Sequence, residues 1–349
     1  MNEFTHGGDW AAYERKYGRA ALDFSSNVSP LGVPEGVRRA VRAAAERADR
    51  YPDPACRALR AAIAAEEDAE RAWVLCGAGA ADLIWRAVYA AQPRKALVTA
   101  PCFGEYEAAL RGVSREVRRC PPDGEFRLGE AFLSAIDGQV DLVFLCQPNN
   151  PSGVSINPML LRRVAARCAE TGARLVLDEC FTGFLDSPEQ YSLAGELASY
   201  SGLVILKAFT KLYGMAGLRL GYALSADTAF LDAMGRQGPP WSVSTPAQEA
   251  GLAALADRSY PEQVRELIRR ERPLLARRLS ALGLRVIPGE ANFLLFRGPE
   301  GLKEALERRG ILLRCCADFS GLDGSWYRTA VRTREENEAL LAALREVLQ

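Results

Sequence analysis

Histidine is almost missing from this chain. Among 349 residues there is one, His6, and the nine cysteines form no Cys-x-x-Cys pair. A zinc centre built from imidazole and thiolate is therefore not expected. An excess of either charge is missing too: 44 Lys plus Arg balance 44 Asp plus Glu. That balance leaves no electrostatic footprint for nucleic acid. No apolar run reaches the roughly 20 residues of a membrane-spanning helix. The cysteines are odd in number, several sit in apolar runs such as LCG and FLCQ, and no secretory leader is recognisable. A reducing cytoplasm is the expected location. The glycine-rich turn after WVL (73–75) lacks the third glycine of a dinucleotide fingerprint, which disfavours NAD.

What is present is a strand–helix alternation. Short β-rich runs occur at 73–75, 96–100, 141–146, 173–179, 202–209 and 219–224, with helical patterns at 82–91, 105–112 and 158–172 between them. Near-continuous apolar strands alternating with helices predict an α/β fold, a mostly parallel sheet covered on both faces. After about residue 245 long helical patterns give way to short strands with helices on one side. The expected organisation is a large domain over 46–244 and a smaller α+β domain over 245–349. The segment 1–45 is expected to pack with the smaller one.

Candidate chemistry collects at strand ends. FTKLYGMAGLRLGY (209–222) sets Lys211 beside Thr210 in an apolar, glycine-punctuated stretch, with Arg219 eight residues on. A positioned, desolvated lysine forms an imine with a carbonyl compound, although most lysines are solvated surface residues. CGAGAAD (76–82) is a turn into a helix start, which suits a phosphate or is simply a tight turn of small residues. LVLDEC places Asp178 at the end of an apolar strand, where it either meets a cation or caps the next element. QPNNPSG presents the amide of Asn150 in what could equally be a plain loop, and PCFGEY offers Phe103 as a stacking face or a core ring. The C-terminal edge of an open α/β sheet is where ligands bind. One ligand would use all six features: pyridoxal 5'-phosphate. Lys211 would hold it covalently, Asp178 would keep its ring nitrogen protonated, and Arg219 with the 77–81 turn would bind its phosphate.

The sequence resembles fold-type I pyridoxal-phosphate enzymes of the class I/II aminotransferase superfamily. The matches run in order along the chain: Tyr51 in RYPD, GAGAAD, Phe103, Asn150 in NNP, Asp178, Lys211 and Arg219. The resemblance implies catalytic roles for Lys211 and Asp178. It implies cofactor contacts from Gly79, Ala80, Ala81, Phe103, Asn150, Thr210 and Arg219. It also implies a homodimer in which Tyr51 reaches the neighbour's cofactor phosphate. Ala208 departs from the pattern, because the superfamily usually has Ser or Thr there, and one hydroxyl to the phosphate is then absent.

Two branches are similar, histidinol-phosphate aminotransferase and the L-threonine-O-3-phosphate decarboxylase of cobalamin biosynthesis. HGGD (6–9) followed by DFSSNVSPLG (23–32) resembles the decarboxylase and implies substrate contacts from His6, Gly7 and Asn27. Phe181 stands where the aminotransferases usually have Tyr. ILLRCCADFSGLD (311–323) is similar to the decarboxylase, and Arg314 matches a substrate-binding arginine of both branches. Arg328 aligns with the arginine that binds the substrate carboxylate in the histidinol-phosphate branch. Strand alternation would put Arg332 on the same face as Arg328, although salt bridges to the Glu-rich helix that follows are an open alternative for it. Two arginines suit a substrate with both a carboxylate and a phosphate. The resemblance thus implies decarboxylation of O-phospho-L-threonine. Transamination of histidinol phosphate or a related amino acid, and decarboxylation of O-phospho-L-serine, are the alternatives.

Overall fold

The computed structural model describes residues 7–114 and 116–349. Near the N-terminus lies a two-residue strand, β1 (Leu22–Asp23). Seven strands then build the main sheet: β2 (Val74–Gly77), β3 (Lys95–Thr99), β4 (Glu116–Cys120), β5 (Leu142–Cys146), β6 (Arg174–Asp178), β7 (Leu203–Ala208) and β8 (Gly221–Leu224). Their order is β2-β8-β7-β6-β5-β3-β4, and only β8 runs against the others. Alternation of side chains splits each strand between two cores. Leu97, Val143, Leu145, Leu175 and Leu177 face one, while Val98, Phe144, Val176 and Val204 face the other. Burial on both faces is why these strands read as continuous apolar runs. The edge strand β4 (EVRRC) is charged and half solvated, so hydrophobic pattern does not reveal it.

Five short strands follow: β9 (Arg285–Val286), β10 (Phe293–Arg297), β11 (Ile311–Leu312), β12 (Arg314–Cys315) and β13 (Trp326–Ala330). Four of them form a second sheet in the order β12-β13-β10-β9, with every pairing antiparallel. The two-residue β11 instead pairs in parallel with β1. That pairing, extended by the amide of Ala330 donating to the Phe24 carbonyl, carries the loop 25–27 to the sheet edge. The helix Thr245–Ala256, expected at the start of the smaller domain, packs on the helices Glu35–Ala45 and Arg57–Glu66. Its Ala247, Ala250 and Ala254 belong to the same core as Val143, Leu145 and Leu177 of the large sheet. Alanines permit that close helix approach.

Candidate active site

Strands β2, β3, β5, β6 and β7 end on one edge of the main sheet, and β8 begins there. The turn after β2 reaches φ +91 at Gly79 and opens directly into the helix Ala80–Ala91, with no side chain capping its first amides. Arg219, itself at φ 55 just before β8, lies over this turn and donates from Nη1 to the Ala216 carbonyl at 3.1 Å. A Cβ on Gly79 would sit 2.9 Å from Arg219 Nη2. Free helix amides and a guanidinium thus converge on one spot, a ready anion cradle.

Asp178, the last residue of β6, is 4% exposed. One oxygen accepts the Tyr106 hydroxyl at 2.7 Å, and the other accepts the Cys180 amide at 3.0 Å. Lys211 sits on the single turn Phe209–Leu212 after β7, with its Nζ 5.9 Å from the centre of the Phe181 ring. Burial, helped by the positive charges of Arg328 and Arg219, pulls its ammonium down to about 8. The lysine carbonyl is tied to the N-terminal segment, accepting the Ser29 amide at 2.8 Å.

The outer wall comes from the second sheet. Arg314 and Arg328 are direct cross-strand partners, so their side chains share a face. Asp318 grips Arg314 through both carboxylate oxygens, at 2.6 and 2.8 Å. Arg328 has no such acid among the described residues. It is 7% exposed and bonded to neutral acceptors, Asn150 Oδ1 at 2.5 Å and the Ser25 carbonyl at 3.0 Å. Its Nε is buried without a partner among the described residues. Burial, with Arg314 adding repulsion, draws its guanidinium down to about 10. Nearby, Asn27 is 1% exposed and both its side-chain amide atoms lack a partner among the described residues. A buried cation without an acid and a buried amide without a partner among the described residues leave capacity for an anionic, hydrogen-bonding ligand.

These groups line one cavity of about 190 Å³. Of the residues singled out in the sequence, Ala80, Ala81, Phe103, Asn150, Asp178 and Thr210 meet there. So do Lys211, Arg219, Gly7, Asn27, Arg314 and Arg328. Gly79 borders it through Arg219. Tyr51 does not reach it: it is 80% exposed and stacks on Trp241 with ring centres 4.6 Å apart. Arg332 does not reach it either. Strand β13 stops at Ala330, so the alternation expected to carry Arg332 into the site has already ended. Its guanidinium bonds Glu336 at 2.7 Å and the Asp23 carbonyl at 3.2 Å instead, which is the salt bridge to the following helix. His6 lies outside the described residues. Sequence reasoning missed Ser25 and Ser26, which line the cavity beside Asn27, and Tyr106, which holds Asp178. The serines of DFSSN look like ordinary turn residues, and a tyrosine in mid-helix reads as core.

A family model for aminotransferase class I and II matches residues 19–344. The chain belongs to this family. Threonine-phosphate decarboxylase from Salmonella typhimurium is 38% identical over 334 residues, covering 94% of this chain and 91% of the relative. Histidinol-phosphate aminotransferase from an Anaeromyxobacter species is 34% identical over 348 residues, covering 96% and 93%. Among solved structures, histidinol-phosphate aminotransferase from Sinorhizobium meliloti in complex with pyridoxal-5'-phosphate superposes with a TM-score of 0.87 at 26% identity, covering 100% of this chain and 98% of that one. The mostly parallel sheet lies between helices and presents its C-terminal edge to the cavity. The cavity's donor set fits the pyridoxal phosphate that the sequence resemblance implies. The desolvated lysine would answer the aldehyde, the buried Asp178 the ring nitrogen, and the cradle of Arg219 and the 79–81 turn the phosphate. Ala208 lines the cavity as a methyl group and adds no hydroxyl donor.

Proposed function

We propose that this chain decarboxylates O-phospho-L-threonine to (R)-1-amino-2-propanol O-2-phosphate, a step toward the cobalamin side chain. Its cofactor is pyridoxal 5'-phosphate. The observation that carries the reading is the cross-strand pair Arg314 and Arg328 at the cavity wall. Two guanidiniums on one face match a small substrate with two anionic groups. Supporting it are the 38% identity to the Salmonella decarboxylase and the phenyl ring of Phe181, 4% exposed, in the place of a phenol.

When bound, the cofactor supplies an electron sink conjugated to the substrate Cα. The chain's part is to select the bond that breaks. Arg328, fixed by Asn150 and Ser25, is the cation free to take the carboxylate. Arg314 is already answered by Asp318, so a phosphate dianion, but not a monoanion, competes well for it. Departure of CO2 leaves Cα short of one proton, and Lys211 is the group placed to deliver it. With its ammonium near 8, it holds and releases a proton close to neutral pH. Asp178 keeps the ring nitrogen protonated throughout.

The enzyme is a homodimer in this reading. The exposed Tyr51–Trp241 stack is the surface through which Tyr51 would extend to the partner's site. Among the described residues no helix is long and apolar enough to cross a membrane, and the expected setting is the cytoplasm.

The test compares two reactions of the cofactor-loaded protein. O-phospho-L-threonine without any keto acid should yield CO2 and the amine phosphate, faster than O-phospho-L-serine does. Glutamate formed from histidinol phosphate and 2-oxoglutarate, with no CO2 from the first mixture, would replace this reading with an aminotransferase. Light scattering should report a dimer.

A further inference from the structure

We propose that Tyr106 is the positioning residue that aligns the Asp178 carboxyl group with the cofactor's ring nitrogen. The inference rests on the pyridoxal-phosphate reading of the site but not on the choice of substrate. Tyr106 lies on the helix Gly104–Leu110, three residues after Phe103, and is fully buried. Its ring stacks on Phe144 of β5, centres 4.8 Å apart and planes 7° apart. Its edge meets Phe103 at 5.7 Å and 87°. Both contacts fix the ring, so the hydroxyl has one direction to point. It donates to Asp178 Oδ2 at 2.7 Å, while the Cys180 amide takes Oδ1 at 3.0 Å.

Each carboxyl oxygen thus has a donor from the chain, the Cys180 thiol is hydrogen-bonded to the group as well, and lone pairs remain for the cofactor. A carboxyl oxygen held in line with the ring nitrogen is the acceptor that a proton on that nitrogen would need. Of the titratable neighbours among the described residues, the Cys180 thiol also reaches Asp178, as a weak donor beside the phenol. Cys146 and Cys180 flank Asp178, and burial pushes both thiols up, so they stay neutral. Lys211, Arg219 and Arg328 are the cations of the cavity, and none donates a hydrogen bond to Asp178 among the described residues. Tyr106 also touches Phe103, the expected stacking face. One side chain therefore ties the acid to the plane in which the ring would lie.

A tyrosine that merely fills the core would not matter electronically. The experiment is Tyr106→Phe, studied at saturating cofactor labelled with 15N in the pyridine ring. The ring nitrogen signal is expected to move toward the unprotonated position. With whichever amino acid the wild type turns over, kcat is expected to fall about tenfold or more, the scale of one lost hydrogen bond to a charged group, with KM within about twofold. An unchanged nitrogen signal would overturn the proposal whatever kcat does. Loss of cooperative melting in the variant would overturn it as well, because the hydroxyl would then be structural. Should the wild type prove to be an aminotransferase, the nitrogen signal still decides the matter.

Discussion

Replacing Arg328 with Met should separate binding from folding. The wild-type guanidinium is 7% exposed, faces no acid at bonding distance among the described residues, and is pulled well below its ordinary value, to about 10. A shift of that size means the buried charge costs the folded protein about 3 kcal/mol. Removing it forfeits two charge-assisted hydrogen bonds, to Asn150 Oδ1 and the Ser25 carbonyl, worth about 1.5–3 kcal/mol each. The net loss of stability is about 0–3 kcal/mol, because the lost bonds are offset by relief of the buried charge. The melting temperature should therefore stay within about 5 °C of wild type. Catalysis should respond differently. A substrate carboxylate deprived of a bidentate partner loses about 3–5 kcal/mol, which is about a hundredfold to a few thousandfold in kcat/KM. Differential scanning calorimetry and steady-state kinetics on the same preparation check both halves. A melting temperature far below wild type would mean that Arg328 is a structural residue. A kcat/KM within about tenfold of wild type would mean that it does not hold the substrate.

Cofactor-free protein should show the cost of burying Lys211. The folded-state ammonium titrates at about 8 against 10.5 unfolded, so the folded state binds fewer protons between those values. The penalty is complete below pH 8 and vanishes by 10.5, and urea unfolding should find the wild type gaining about 3 kcal/mol on Lys211→Met across that window. A flat difference would refute the shift. Gly79→Ala should weaken cofactor binding by at least about tenfold, since the new Cβ meets Arg219 Nη2 at 2.9 Å in a φ +91 backbone, and equilibrium dialysis measures it. Ala208→Ser should tighten cofactor binding by about fivefold through an added hydroxyl at the cavity wall; dialysis that finds no gain would place the phosphate elsewhere.

The residues legible in the sequence share a physical cause. Asp178 and Lys211 follow directly on strands whose double-sided burial makes them conspicuous, so a polar residue at their ends stands out. Arg219 was legible by its distance from the lysine. Arg332 shows the limit of that reasoning. Alternation would continue past Ala330 if the strand did, but the capping box of Thr333 and Glu336 starts a helix there, and Glu336 takes the guanidinium. Tyr106 was hidden because a helix-borne aromatic three residues from another is the usual signature of core packing, and only the fold brings β6 within reach of its hydroxyl. Arg314 is set apart from Arg328 by a local partner, Asp318 four residues on, whereas the register that puts the two arginines side by side is encoded by neither segment alone. The edge strand β4 escaped because its solvated side chains break the apolar pattern.

The most direct measurement is a turnover count. Holoenzyme is mixed with an excess of O-phospho-L-threonine carrying a labelled carboxyl carbon, with no keto acid, and the CO2 released per active site is measured. A decarboxylase regenerates its cofactor in every cycle, so release should continue through many equivalents until the substrate is spent. No labelled CO2, or consumption that stops at one equivalent per site and resumes only when 2-oxoglutarate is added, would identify an aminotransferase and contradict the assignment.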